Sequence, residues 1–205
     1  LIQDFYKENL ESINFYNKQF LSETSKKDRI FYKGIGLYVF DQNYPDSNGE
    51  TPDGWSEEPS VLTNAIGIQN NAKAVAYEDG FLITWNDYQS GNSDIFVQFV
   101  SSGGDVLGQP NGTPLANEGT DEYNQELTYS SARNEILIVW EYDNGSDFDI
   151  KGSIIEVENV SIGDVFDIVA EYSDQTSPTL YSSQGGTFML MWRDGRLSIP
   201  GQPPV

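Results

Sequence analysis

The amino-acid sequence predicts an all-β protein, and within that class a β-propeller of which about three four-stranded blades are visible as part of a larger propeller. Three observations lead to this fold class: a repeat, short apolar runs that each end in tryptophan, and no helical periodicity between the units. Tyrosines at intervals of 52 residues mark the repeat, together with a tryptophan and in two units an aspartate. These structural anchor positions are Tyr77, Trp85, Asp94, Tyr129, Trp140, Asp149, Tyr181 and Trp192.

The first predicted element is an N-terminal extension over residues 1–29. Its apolar residues recur at spacings of three and four between residues 2 and 21, which predicts an amphipathic helix. Because Asn9, Asn14 and Asn17 are poor helix formers, a strand over residues 14–21 stays open as an alternative.

The predicted blades occupy residues 30–196, with a repeat of about 52–55 residues. In each unit a polar turn leads into a five-residue apolar run, at 81–85, 136–140 and 188–192. None of these runs alternates between apolar and polar residues, so we expect neighbouring sheets to cover both faces of each strand. The next strand begins with Asp-Ile nine residues after Trp85, and again nine residues after Trp140.

An incomplete unit precedes these blades, since residues 37–40 occupy the place that residues 95–98 hold in the next unit. The chain ends in a Pro/Gly-rich tail or linker over residues 197–205. A blade buries its apolar faces only against its neighbours, and closed propellers have at least four blades. We therefore expect the chain to be a piece of a longer protein, or an array that another chain completes.

The composition excludes several classes of chemistry. The chain has 205 residues, with 11 Lys and Arg against 32 Asp and Glu, a formal charge of −21, and neither His nor Cys. Catalysis by a serine–histidine or cysteine–histidine pair is excluded, as is zinc bound by His or Cys. The negative charge argues against nucleic acid and anionic membranes as partners. No apolar run approaches the ~20 residues of a membrane-spanning helix, so we expect no membrane insertion.

Residues 71–98 resemble a repeat of secreted and cell-surface β-propeller proteins of bacteria. In that repeat an apolar strand ends in Trp, an Asp-Tyr-x-Ser-Gly-Asn loop follows, and an Asp-Ile-x-x-Gln strand precedes a Ser-Ser-Gly turn. The corresponding residues here are Trp85, 87–92, 94–98 and 101–108. The second copy keeps Trp140 and Asp149 but departs from the pattern at residues 151–152. The resemblance covers about residues 34–194 and implies an extracellular or surface-exposed component, without implying any particular activity.

The acidic loops after the first two tryptophans are the first candidate site. In the second loop, Asp143, Asn144, Asp147 and Asp149 offer oxygen ligands of the kind that calcium prefers, although their spacing does not match an EF-hand. The alternative is structural, because Asp and Asn accept backbone N–H bonds in tight strand connections. The structural interpretation is favoured, and no other cofactor is indicated.

Aromatic residues and carboxylates supply two further candidates. The repeated tryptophans suit packing between blades better than stacking on sugar rings, whereas Trp55, in a Pro/Asp/Gly loop, is the tryptophan to test for ligand contact. Asp87, Glu141 and Asp194 follow the tryptophans at closely similar positions, and a glycosidase needs only two carboxyl groups. Their repetition favours a scaffold over a single catalytic centre.

The sequence therefore predicts a non-catalytic, structural or adhesive binding module at the cell surface, which presents propeller loops to a protein or glycan partner. The alternatives are a carbohydrate-active propeller that works with carboxylates alone, and a calcium-dependent carbohydrate-binding module.

Overall fold

A computed structural model describes residues 35–37 and 60–197 of the chain. Within these residues every regular element is a strand, apart from a single 3-10 turn at Gly195–Leu197, so the all-β prediction is confirmed. The strands are β1 (Ile35–Leu37), β2 (Ser60–Thr63), β3 (Gln69–Tyr77), β4 (Gly80–Asp87), β5 (Asp94–Ser101), β6 (Val106–Leu107), β7 (Thr113–Ala116), β8 (Glu122–Ser130), β9 (Glu135–Asp143), β10 (Phe148–Glu156), β11 (Ser161–Val169), β12 (Gln175–Ser182) and β13 (Phe188–Asp194).

Some of the predictions fall on other parts of the chain. The helix expected over residues 2–21, Trp55 and the tail from residue 198 lie outside the described residues. Among the described residues, no helix has the length and apolar character needed to cross a lipid bilayer.

The strands form four antiparallel sheets, which we number I to IV in chain order. Sheet I pairs β1 with β2, and sheet IV pairs β12 with β13. Sheet II has the order β3-β4-β5-β6, with β7 also paired to β5, and sheet III has the order β8-β9-β10-β11. Sheets II and III are meanders, because β3, β4, β5 and β6 in one and β8, β9, β10 and β11 in the other lie side by side in chain order. The first strand of sheet III, β8, contacts the first strands of sheets II and IV.

Apolar faces of successive sheets pack on one another. Leu62 of sheet I packs with Trp85 and its neighbours on one face of sheet II. The opposite face of sheet II, which includes Leu82, packs with Trp140 and other residues of sheet III. Leu137, on the far face of sheet III, packs with residues of sheet IV. Three apolar layers therefore hold the four sheets in chain order.

The first two apolar runs are covered on both faces, as predicted. Trp85 and Trp140 are both 0% exposed. Close packing around Trp85 also explains why residue 112 is a glycine. Gly112 has a φ of +84°, and a Cβ at this position would lie 2.6 Å from Cζ2 of Trp85. No side chain larger than hydrogen fits at that position.

The same prediction is wrong for the third run. In β13, Trp192 is 38% exposed, Met189 52% and Met191 48%. Among the described residues β13 has a partner on only one side, whereas β4 and β9 each have a third strand on the other side. Trp192 consequently loses the cover that the later strands of sheet II give to Trp85.

The tyrosines that recur every 52 residues do not occupy equivalent positions in the three sheets. Tyr77 lies opposite Gly80, Tyr129 opposite Ile136 and Tyr181 opposite Met189, so the tyrosines shift by one residue in each sheet relative to the tryptophan. A shift of one residue turns a strand side chain to the other face. Tyr77 accordingly points away from the tryptophan face of sheet II, whereas Tyr129 lies on the tryptophan face of sheet III, so both pack between these two sheets. Two shifts return Tyr181 to the same face as Tyr77, but no further sheet of the described residues covers it, and it is 52% exposed.

Candidate functional site

The candidate site lies where the first strands of sheets II, III and IV begin, next to the loops that follow β4 and β9. Each first strand has a bulge at its third residue, which adopts a left-handed conformation. The φ angles are 53° at Asn71, 50° at Asn124 and 55° at Ser177. The strand register shifts at the same three places. Because these residues are 53 positions apart, the structural repeat in the first strands is 53 residues.

Buried polar groups join sheets II and III at this end. The amide of Asn86 donates to the carbonyl oxygen of Glu122 at 2.8 Å, and the hydroxyl of Ser93 donates to the same oxygen at 2.7 Å. Asn71 and Gln125 exchange two hydrogen bonds: Nδ2 of Asn71 donates to Oε1 of Gln125 at 3.2 Å, and Nε2 of Gln125 donates to the Asn71 carbonyl at 2.6 Å. The bulge at Asn71 thus takes part in the contact between sheets.

Sheets III and IV are joined in a related way. Glu141, the residue after Trp140, accepts a hydrogen bond from the backbone N–H of Ser177 at 2.5 Å. Asp147 accepts from the backbone N–H of Ser173 at 2.8 Å. The side chain that directly follows the tryptophan therefore reaches the next sheet twice: Asn86 extends from sheet II to sheet III, and Glu141 from sheet III to sheet IV.

The loop after β4 is tied down by Asp87. This buried carboxylate accepts hydrogen bonds from the indole N–H of Trp85 at 3.2 Å and from the backbone of Gln89 at 2.9 Å. Asp94 lies opposite Asp87 and is 3% exposed. Burial raises the pKa of Asp94, Ser90 lowers it through a hydrogen bond, and the charges of Asp87 and Asp121 raise it further. The tip of the loop, residues 89–91, is exposed.

The loop after β9 brings together the four predicted calcium ligands. Nδ2 of Asn144 donates to Asp147 at 2.6 Å and to Asp149 at 2.8 Å. Asp143 accepts a hydrogen bond from the backbone of Gly145 at 2.8 Å. Across residues 35–37 and 60–197, no three Asp or Glu side chains are grouped so that they would hold a metal ion. The hydrogen bonds fit the structural interpretation of this loop, and calcium binding stays a prediction.

Sequence reasoning did not single out Glu122. It begins β8, as Gln69 begins β3 and Gln175 begins β12, and all three are buried. Gln175 donates to Asp194 at 3.3 Å and accepts from the indole of Trp192 at 2.8 Å. A search of the sequence at a 53-residue interval would have shown the series Gln, Glu, Gln.

Glu122 lacks the partners that its counterpart in sheet IV has. It is 0% exposed, and within the described part of the chain neither its carboxyl oxygens nor the indole nitrogen of Trp140 has a hydrogen-bond partner. Burial, and then the nearby charge of Asp94, raise the pKa of Glu122 to about 8. The carboxyl group is therefore mostly neutral at pH 7.

The three carboxylates considered as a catalytic set lie in three different sheets, and each accepts hydrogen bonds of its own. Asp87, in sheet II, accepts a hydrogen bond from the indole N–H of Trp85. Glu141, in sheet III, accepts one from the backbone N–H of Ser177. Asp194 bonds to Arg196, and this contact holds its pKa well below the ordinary value. The charge of Asp94 acts on Glu122, and both side chains are buried.

No protein-family model matches this chain, and comparisons with curated proteins and with solved structures give no match either.

Proposed function

We propose that sheets I to IV are blades of a β-propeller, and that the chain is a non-catalytic binding module of an extracellular or cell-surface protein. The stacking of successive antiparallel sheets and the contacts of β8 with β3 and β12 support the propeller architecture. The resemblance to bacterial surface propeller repeats supports the location.

One observation carries the proposal that the module binds rather than catalyses. At the bulged end, buried side chains such as Asn86, Asp87 and Glu141 hold strands and loops in place, while the loop tips at residues 89–91 and 144–146 are exposed. A rigid base with exposed polar tips is the arrangement that loop-based recognition uses. The partner is a protein or glycan that is neutral or positively charged, since the chain carries a formal charge of −21.

Exchange of loops tests this proposal. Residues 88–92 are replaced by a Gly/Ser segment of equal length, and as a matched control the turn at residues 102–104, at the opposite end of sheet II, is replaced in the same way. Binding of each variant is measured by interferometry on immobilised neutral oligosaccharides and on an oligolysine peptide.

We expect binding to at least one probe that is lost in the 88–92 variant and kept in the control. If both variants keep binding, or if both lose it, the result contradicts recognition by the loop at residues 88–92. A signal on oligolysine that both variants keep and that salt abolishes also contradicts it, because such a signal reflects net charge alone.

A further inference from the structure

The far face of sheet IV has the residues of a contact between sheets, but it is exposed. Tyr181, Met189 and Met191 lie on this face and are 52%, 52% and 48% exposed. Counted from the tryptophan, the counterparts of Met189 and Met191 in sheet III are Leu137 and Val139. These are 8% and 0% exposed, because sheet IV covers them. A large apolar face of this kind marks an interaction surface.

The edge of β13 next to this face is open as well. In sheets II and III the second strand pairs with a third strand, β4 with β5 and β9 with β10. As the second strand of sheet IV, β13 has no such partner among the described residues. An open strand edge presents unpaired N–H and C=O groups that another strand can use.

Sheet I has the complementary pair of strands. β1 pairs with β2 as β5 pairs with β7: Ile35 lies opposite Thr63 and Ile95 opposite Ala116, and the register shifts directly after each isoleucine. β1 therefore corresponds to the third strand, β5, with Ile35 in the place of Ile95 and two residues from where the sequence pattern alone puts it, and β2 corresponds to the fourth strand, β7. Sheet IV thus has strands of the first and second kind, and sheet I has strands of the third and fourth kind. Together they would make one four-stranded sheet with the order seen in sheet III.

We propose that two copies of the chain join head to tail, with β13 of one copy pairing antiparallel to β1 of the other. This inference rests on the propeller architecture proposed above. The new sheet continues the stacking that already joins sheets II, III and IV, and places the face of Tyr181, Met189 and Met191 against the second copy. A second copy fits because its sheet I carries strands of the third and fourth kind in the correct order, which sheet IV does not have among the described residues.

The pairings inside the chain set the register of the contact. Ile95 lies opposite Asn86, and Ile150 lies opposite Glu141, the residue that follows the tryptophan in each case. The same register places Ile35 opposite Arg193. Each copy carries a charge of −21, so salt should strengthen the association by screening repulsion.

Cysteine cross-linking tests this register directly, because the chain has no Cys of its own. Directly opposed residues of antiparallel strands have Cα atoms ~4.5–5.5 Å apart, which suits a disulfide. The variants Arg193→Cys and Ile35→Cys are mixed and oxidised with copper phenanthroline, and the products are separated on a non-reducing gel. In the matched control Glu156→Cys, on the exposed end of β10, replaces Arg193→Cys.

We expect a disulfide-linked dimer from the mixture of Arg193→Cys and Ile35→Cys, and none above background from the control mixture. A dimer formed by Arg193→Cys alone would overturn the proposal, because it would show symmetric contact between two copies of the same face.

Sedimentation of the full chain supplies a second readout that needs no cysteine. We expect assemblies of two or more copies, and Met191→Glu should raise their dissociation constant by about tenfold or more, because it buries a charge. The control Phe166→Glu adds the same charge at a residue of β11 that is 41% exposed, and should leave association unchanged. Circular dichroism checks that both variants are folded.

A chain that stays monomeric in high salt, or a Met191→Glu variant that associates normally, overturns the proposal. The two proposals fail separately. A monomer whose loop at residues 88–92 still binds a probe leaves the proposed function intact, whereas a cross-linked dimer that binds no probe leaves the head-to-tail contact intact.

Discussion

Replacing Glu122 by Gln isolates the cost of one buried carboxyl group. Glu122 is 0% exposed and its carboxyl oxygens have no partner among the described residues, whereas Gln69 and Gln175 occupy the corresponding positions in sheets II and IV. The substitution keeps the shape of the side chain and removes its charge. The other two sheets show that the fold accommodates Gln at this place.

The effect on stability follows from the pKa shift. The pKa of Glu122 rises from an ordinary value of 4.5 to about 8 in the folded protein, chiefly through burial. Below about pH 4.5 the group is neutral in both states and costs nothing. Between about pH 4.5 and about pH 8 the folded state keeps a proton that the unfolded state has lost, so stability falls as pH rises. Above about pH 8 the cost is constant at about 5 kcal/mol.

Urea unfolding of the wild type and of Glu122→Gln, measured across this pH range, gives the difference in the free energy of unfolding. Taking the difference cancels the titration of those acidic residues that do not interact with Glu122. We expect it to be near zero at about pH 4.5 and to grow to about 5 kcal/mol in favour of Gln above about pH 8. The control Glu126→Gln should lower stability by about 1 kcal/mol or less, because it removes a half-exposed pair with Lys73.

A difference that does not change with pH would refute the reasoning, since it would mean that Glu122 has the same pKa in the folded and unfolded states. A Gln variant that is less stable than the wild type above about pH 8 would refute it as well.

Three other predictions concern packing and the acidic loop. Gly112→Ala should lower the free energy of unfolding by at least about 3 kcal/mol in urea titrations, because the new Cβ meets Trp85; an unchanged midpoint would contradict this packing. Trp140→Ala should cost about 3–5 kcal/mol in the same assay, and Trp192→Ala about half as much, because Trp192 is 38% exposed; equal costs would contradict the difference in burial. Millimolar calcium or a chelator should leave the melting temperature unchanged, because the acids of the 143–149 loop already accept N–H bonds; a rise with calcium would instead support the predicted calcium site.

Local patterns in the sequence were sufficient to predict most of the strands. The uninterrupted apolar runs predicted central strands that are covered on both faces, and Trp85 and Trp140 are buried as expected. The Asp-Ile positions correctly mark the start of β5 and the second residue of β10. These features were predictable because side-chain alternation and turn residues act over a few neighbouring positions.

The candidate site was only partly predictable. The two acidic loops were found because Asp, Asn and Gly are dense there, but the bulges at Asn71, Asn124 and Ser177 were not. A bulge leaves no mark on the alternation of residue types, and because all three first strands have it at the same position, it does not change the 53-residue interval between them. The 52-residue interval connects tyrosines that occupy different positions in their strands.

The order of residues along this chain is enough to specify antiparallel β-structure with apolar strands that end in tryptophan, because strand pattern and turn chemistry are local properties. Exposure and ionisation depend on which distant strands lie alongside. Trp192 ends an apolar run as Trp140 does, yet it is 38% exposed, because within the described part of the chain sheet IV has two strands where sheet III has four. Glu122 is neutral near pH 7 because its neighbours exclude water and place Asp94 nearby. Only the packing of the sheets determines these two properties.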